Sequence, residues 1–124
     1  MRLVVAILRR EKLEAVRTAL EKRGVRQATF SQVKGWGHEK GRVVSFRGLQ
    51  GQEREIDRLK LEVCVPEASM EAVVDAIQES AHTGRVGDGI IWVLPLEQSV
   101  RIRTGEKAWS SYSHQDSFAL HERA

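Results

Sequence analysis

The stretch Thr83-Gly84-Arg85-Val86-Gly87-Asp88-Gly89 sets three glycines among a threonine, an arginine and an aspartate. Closely spaced glycines let backbone N–H groups approach a polyphosphate, and a turn can gather several such donors into an anion nest. Alone, the pattern is equally well explained by a structural turn. Arg101 and Arg103 stand two apart in Gln98 to Arg103, an alternating stretch that reads as an edge strand. On a strand both would project to one side, where their forked donors suit phosphate oxygens, although ordinary solvent-facing arginines have the same spacing. His38, His82, His114 and His121 form no compact metal-ligand motif, and the single cysteine, Cys64, excludes an internal disulfide and a cysteine-based zinc site. No nucleophile, base and orienting carboxylate assemble. The chemistry on offer is binding, not catalysis.

Charge is distributed unevenly. The 124 residues carry 20 Lys plus Arg against 17 Asp plus Glu, but residues 1–62 hold 15 basic and 8 acidic groups and residues 63–124 hold 5 and 9. An anionic partner should therefore meet the first half. The cations form neither a continuous tract nor an arginine–aromatic pattern for stacking bases, so nucleic acid is an unlikely ligand and a small phosphate-bearing molecule fits better. The apolar run Leu3 to Leu8 is too short for a membrane span, and Met1-Arg2 leads into no signal peptide. The expectation is one domain in a reduced, cytoplasmic setting.

The elements that must position these residues follow from periodicity. Arg2 to Leu8 reads as a buried strand, and Glu11 to Arg23 as a helix with Leu13, Val16 and Leu20 on one face, stopped at Gly24. Val25 to Val33 can form a second strand. Leu59, Leu61, Val63 and Val65 alternate with Lys60, Glu62 and Cys64, the clearest strand pattern in the chain. Pro66 closes it and introduces a helix with Met70, Val73, Val74 and Ile77 on its buried face, ending near Ser80. Ile90 to Leu94 is a further strand. The order is that of a split βαβ, or ferredoxin-like, βαββαβ sandwich of the α+β class, with both helices on one sheet face. The other face needs a partner, which association about a symmetry axis would supply. Lys34 through Arg58, with five glycines and little periodicity, reads as a long functional loop.

Four segments together resemble the nitrogen-regulatory PII signal-transduction family over residues 1–107. They are the opening strand and helix, Val33-Lys34-Gly35-Trp36-Gly37-His38-Glu39-Lys40-Gly41, Thr83 to Gly89, and Val100-Arg101-Ile102-Arg103-Thr104-Gly105-Glu106, and Arg47-Gly48 agrees with the interior of the long loop. The resemblance implies a homotrimer with nucleotide pockets at the subunit clefts, a mobile T-loop at about 37–55, and a C-terminal extension at 108–124. It implies a regulator that binds ATP or ADP, senses 2-oxoglutarate through Mg-ATP and controls a transporter or enzyme by contact. Such a protein is cytoplasmic, with peripheral recruitment to a membrane transporter. The alternative within the same family is a non-sensing adaptor whose nucleotide pocket is largely structural.

The resemblance places Thr83, Gly84, Arg85, Gly87, Asp88 and Gly89 in the phosphate-binding turn and gives Arg101 and Arg103 phosphate contacts. Thr29, Gly35, Trp36 and Gly37 help enclose the adenosine, although core packing explains Trp36 equally well. His38 stands where the family has arginine, Glu39 where it has glutamine, and Ile90 where it has a phosphate-facing lysine, while Arg9 and Arg58 replace lysines. Glu39 keeps an oxygen for Mg²⁺ but loses the amide donor and adds negative charge. These departures favour ADP or AMP over ATP and predict weak capture of 2-oxoglutarate. In the loop, Gly51 replaces the modified tyrosine, so uridylylation does not carry over. Arg47 remains as a partner-contact residue.

Overall fold

A computed structural model describes residues 1–37, 45–46, 49–50 and 54–109. The elements in chain order are β1 (Arg2–Leu8), α1 (Leu13–Lys22), β2 (Thr29–Gly37), β3 (Ser45–Phe46), β4 (Leu49–Gln50), β5 (Arg54–Val65), α2 (Met70–Ala81), β6 (Gly89–Pro95), β7 (Gln98–Val100) and β8 (Lys107–Trp109). Short 3₁₀ turns, Arg10–Lys12 and Glu67–Ser69, lead into the two helices.

The main sheet runs β2-β5-β1-β6, and every neighbouring pair is antiparallel. With α1 and α2 as crossovers, this is the expected ferredoxin-like βαββαβ topology. The period-two alternation decides which face is covered. Val4, Ala6 and Leu8 of β1 pair with Val63, Leu61 and Leu59 of β5, and all six pack with Val16, Leu20, Val73 and Ile77 of the helices. Leu61 and Ile77 are almost completely buried, and burial of each such side chain stabilises the fold by about 1.5–3 kcal/mol.

The opposite face has no covering element among the described residues. Ile7, Val5 and Leu3 stand there beside Ile90, Trp92 and Leu94 of β6, the last three between 43 and 50% exposed. Cys64 belongs to this face, as the alternation requires, with its thiol 3.8 Å from Met1 Sδ. No described helix is long and apolar enough to cross a membrane.

Three boundaries differ from the sequence reading. The second strand starts at Thr29, because Val25 folds back to close α1 through its N–H to Leu20 O at 3.0 Å. The ends of the 34–58 segment are not loop: Lys34 to Gly37 pair with Asp57 to Arg54. Their charged side chains carry no apolar alternation, so cross-strand hydrogen bonding sets their conformation. Gln98 to Arg103 is also not one strand. It is strand only to Val100, which pairs with Lys107 in a separate hairpin.

Candidate functional site

The turn after α2 is organised by one carboxylate. Asp88 Oδ2 accepts the N–H groups of Thr83 at 2.8 Å and Gly84 at 2.9 Å. Oδ1 accepts the Thr83 hydroxyl and, at 3.0 Å, Nε–H of Arg9. Thr83 Oγ1 in turn accepts the N–H of Arg85 at 3.1 Å. Both oxygens of Asp88 are thus engaged within the protein, so the residue shapes the turn. Amides beyond Arg85 are the turn's candidates for meeting an anion.

The Thr83 hydroxyl, the Thr83 and Gly84 amides and Arg9 together hold the Asp88 carboxyl well below the usual carboxylate range, against an opposing push from desolvation. A depressed folded-state value contributes stability that is present above the unfolded value and is lost as pH falls through the folded one. Asp88→Asn should therefore lower the melting temperature at pH 7. The gap to wild type should persist at pH values where ordinary carboxylates are half protonated and close only in stronger acid. Thermal melts of both proteins across an acid series check this; a gap that closes at the ordinary carboxylate pKa would contradict it.

Gly89 follows the turn and opens β6 opposite Leu8. Its φ is +107°, and a Cβ there would lie 1.8 Å from the Ile7 carbonyl oxygen. The turn is therefore pressed against the end of β1, in a geometry only glycine satisfies.

The stem formed by β2 and β5 rises past that same end of β1. Gly35 and Arg58 share the open face, and a Cβ on Gly35 would lie 3.6 Å from Arg58 Cγ. Lys34 Nζ bonds Asp57 Oδ1 at 2.9 Å on the other face, and Arg10 approaches Asp57 Oδ2 at 3.6 Å. Lys34 holds the Asp57 carboxyl below its ordinary value. Trp36 is 72% exposed and alternates onto the face opposite Gly35. Core packing within this chain does not explain it, and it shares no face with the glycines that flank it.

The remaining candidates lie elsewhere. Thr29 pairs with Glu62, six residues down β2 from Gly35, or about 20 Å at some 3.3 Å per residue. Arg101 and Arg103 follow β7, beyond the end of β6 opposite the turn. The edge-strand geometry expected for them is not present: residues 101–106 form the β7–β8 connection, in which Arg101 N–H donates to Glu106 O at 2.8 Å and Gly105 N–H to Arg101 O at 2.7 Å. Arg101 is half-buried, and its Nε is buried without a hydrogen-bond partner. In the sheet register Gln32, Leu59 and Leu8 lie level with Gly89, so Thr29 and Gly35 stand three positions to either side of that level, on the strand farthest from β6, while Arg101 and Arg103 follow the opposite end of β6.

A cleft of about 230 Å³ borders the turn, with Ile7, Leu8, Ile77 and Ile90 as apolar walls and His82 and Asp88 at its polar side. Ile90 pairs with Ile7, so the substituted position extends an apolar row. Among the described residues no group of three or more His, Cys, Asp or Glu side chains could hold a metal ion. His38, Glu39, Arg47 and Gly51 lie outside the described residues, as does the chain from 110 to 124. Sequence reasoning noted Arg9 only as a substitution and missed its role beside Asp88, 79 residues away. No local pattern reports such a contact.

Comparison with known proteins gives matches along most of the chain. A family model described as "Nitrogen regulatory protein P-II" matches residues 1–106. A nitrogen regulatory protein P-II from Azospirillum brasilense is 41% identical over 107 residues, covering 86% of this chain and 96% of the relative. One from Nostoc punctiforme is 42% identical with the same coverage. The nitrogen regulatory protein GlnK of Escherichia coli K12 is 38% identical over 106 residues, covering 86% and 95%.

Proposed function

The chain belongs to the nitrogen regulatory P-II family, and on that premise we propose that it binds an adenine nucleotide and controls a partner protein through the segment joining β2 to β5. Family members are regulators and not catalysts, so the residues have to bind, discriminate and transmit. The observation that carries the nucleotide reading is the turn 83–89. Asp88 and Thr83 use the amides of Thr83, Gly84 and Arg85 to fix a glycine-rich backbone at the end of the sheet where Gly35 and Arg58 also stand. The amides beyond Arg85 are held in place by that framework and need no reorganisation when an anion arrives.

The separation of Arg101 and Arg103 from that turn supports a site completed between two copies. The uncovered Ile90-Trp92-Leu94 face supplies an apolar reason for copies to associate, in a homotrimer by family analogy. The buried, unpartnered Nε of Arg101 fits a residue that expects an acceptor from outside its own chain. Thr29, Gly35 and Gly37 would enclose the nucleoside, and Arg58, Arg85, Arg101 and Arg103 would face phosphates. Ile90 withholds one cation and Glu39 adds an anion, so ADP or AMP should bind better than ATP. Mg²⁺ would enter with the triphosphate, and 2-oxoglutarate should bind weakly.

Transmission follows from where the site sits. Gly35 and Gly37 end β2 where the connecting segment begins, so a ligand that prefers one arrangement of that segment shifts its population. Arg47 is the partner-contact residue, offering five donors to a transporter or enzyme. A second reading, a structural adaptor, is favoured by the self-satisfied turn: Asp88 keeps its shape without any ligand. Capture of partners from native extract with ADP, with ATP and without nucleotide separates the two. A partner held in one nucleotide state and lost in Arg47→Ala is expected; identical capture in all conditions would leave the adaptor.

A further inference from the structure

We propose that Arg9 is the positioning residue of the 83–89 turn: it anchors the turn to β1 and neutralises Asp88, so that the site can take phosphate. The proposal rests on reading that turn as a phosphate site. Arg9 leaves β1 directly after Leu8, whose register partner is Gly89. Its Nε–H donates to Asp88 Oδ1 at 3.0 Å, and its Nη2 donates to the Val86 carbonyl, also at 3.0 Å. One planar fork therefore grips the turn at two points. The Thr83 and Gly84 bonds to Asp88 arise within the turn, whereas those of Arg9 come from a different element.

The environment makes this grip effective. The Arg9 side chain is 13% exposed and that of Asp88 24%, so water screens their attraction only in part. Asp88 also poses a problem for an anion site, since it brings a full negative charge to the backbone that must receive phosphate. Arg9 cancels that charge at contact distance while leaving the carboxylate free to order the turn. A lysine could supply the charge, but as a single rotating ammonium it would not fix two acceptors in one plane. Arg9 thus acts through the turn and need not touch the ligand.

The test compares R9M and R9K with the wild-type chain in two measurements. Calorimetric titration with ADP and with adenosine isolates the phosphate contribution. R9M should lose about tenfold or more in ADP affinity, the worth of a charge-assisted hydrogen bond, with adenosine affinity changed by less than about threefold. R9K should fall between wild type and R9M. Hydrogen exchange of the ligand-free proteins reads the anchoring itself: peptides spanning 83–89 should exchange faster in R9M while β1 and β5 keep their protection. Should R9M fail to fold, R9K carries both measurements, with a smaller ADP loss and partial loosening expected. Unchanged exchange in the variants overturns the anchoring, and equal losses for ADP and adenosine overturn the phosphate role. A wild-type chain that does not bind ADP overturns the phosphate reading itself, while the exchange result still judges Arg9 as an anchor.

Discussion

Gly89→Ala should cost the protein its fold or most of its stability. The added methyl would sit 1.8 Å from Ile7 O and 2.8 Å from Ile7 C, both backbone atoms of the central strand pair. No rotamer change relieves that overlap, so β1 and β6 must separate locally. The φ of +107° adds strain of its own for a residue with a Cβ. A loss of at least about 3 kcal/mol is expected, with the melting temperature down by roughly 10 °C or more. Gly35→Ala is the control. Its Cβ would meet only Arg58 Cγ at 3.6 Å and Ile56 O at 3.7 Å, ordinary contacts, so its melting temperature should stay near wild type. Equal melting of all three proteins would show that the turn does not press on β1 as described.

Trp92→Glu should break the assembly without unfolding the subunit. Trp92 projects from β6 beside Val5 on the uncovered face and is 49% exposed, so it contributes little to the core of its own chain. If copies bury this face, each one places a carboxylate in an apolar contact, at a cost of several kcal/mol per subunit. Light scattering coupled to size exclusion should show wild type at three times the 14.0 kDa chain mass and the variant at one. Circular dichroism should remain that of a folded α+β domain. A wild-type monomer, or a variant that keeps the larger mass, would place the subunit contact elsewhere.

The same alternation explains how much of the fold was legible in the sequence. Leu59 to Val65 announce both the strand and its buried side, because apolar burial is what fixes that register. The stem residues Lys34–Gly37 and Arg54–Asp57 are just as regular, yet they read as loop. Charged side chains and glycines fill six of their eight positions, and hydrogen bonding between two such strands leaves no hydrophobic period. Arg101 and Arg103 misled for the opposite reason. Their spacing suits a strand, but Gly105 at φ +76° and the Glu106 carbonyl turn the chain into a hairpin connection.

The candidate site was legible in part. Glycine spacing marked the 83–89 turn, but the inward use of Asp88 depends on side-chain geometry. The sequence placed Asp88 in the phosphate-binding turn without a role for its side chain; the structure gives it four donors from within the protein. Trp36 and Gly35 are adjacent in sequence and fall on opposite faces, which only the observed pairing of β2 with β5 decides.

The most direct measurement is calorimetric titration of the full wild-type chain with AMP, ADP and ATP, each with and without Mg²⁺. Saturable binding at one site per chain is predicted, tighter for ADP or AMP than for ATP because Ile90 supplies no cation. Heats no different from dilution for all three nucleotides would contradict the proposed sensor and leave the 83–89 turn a purely structural element.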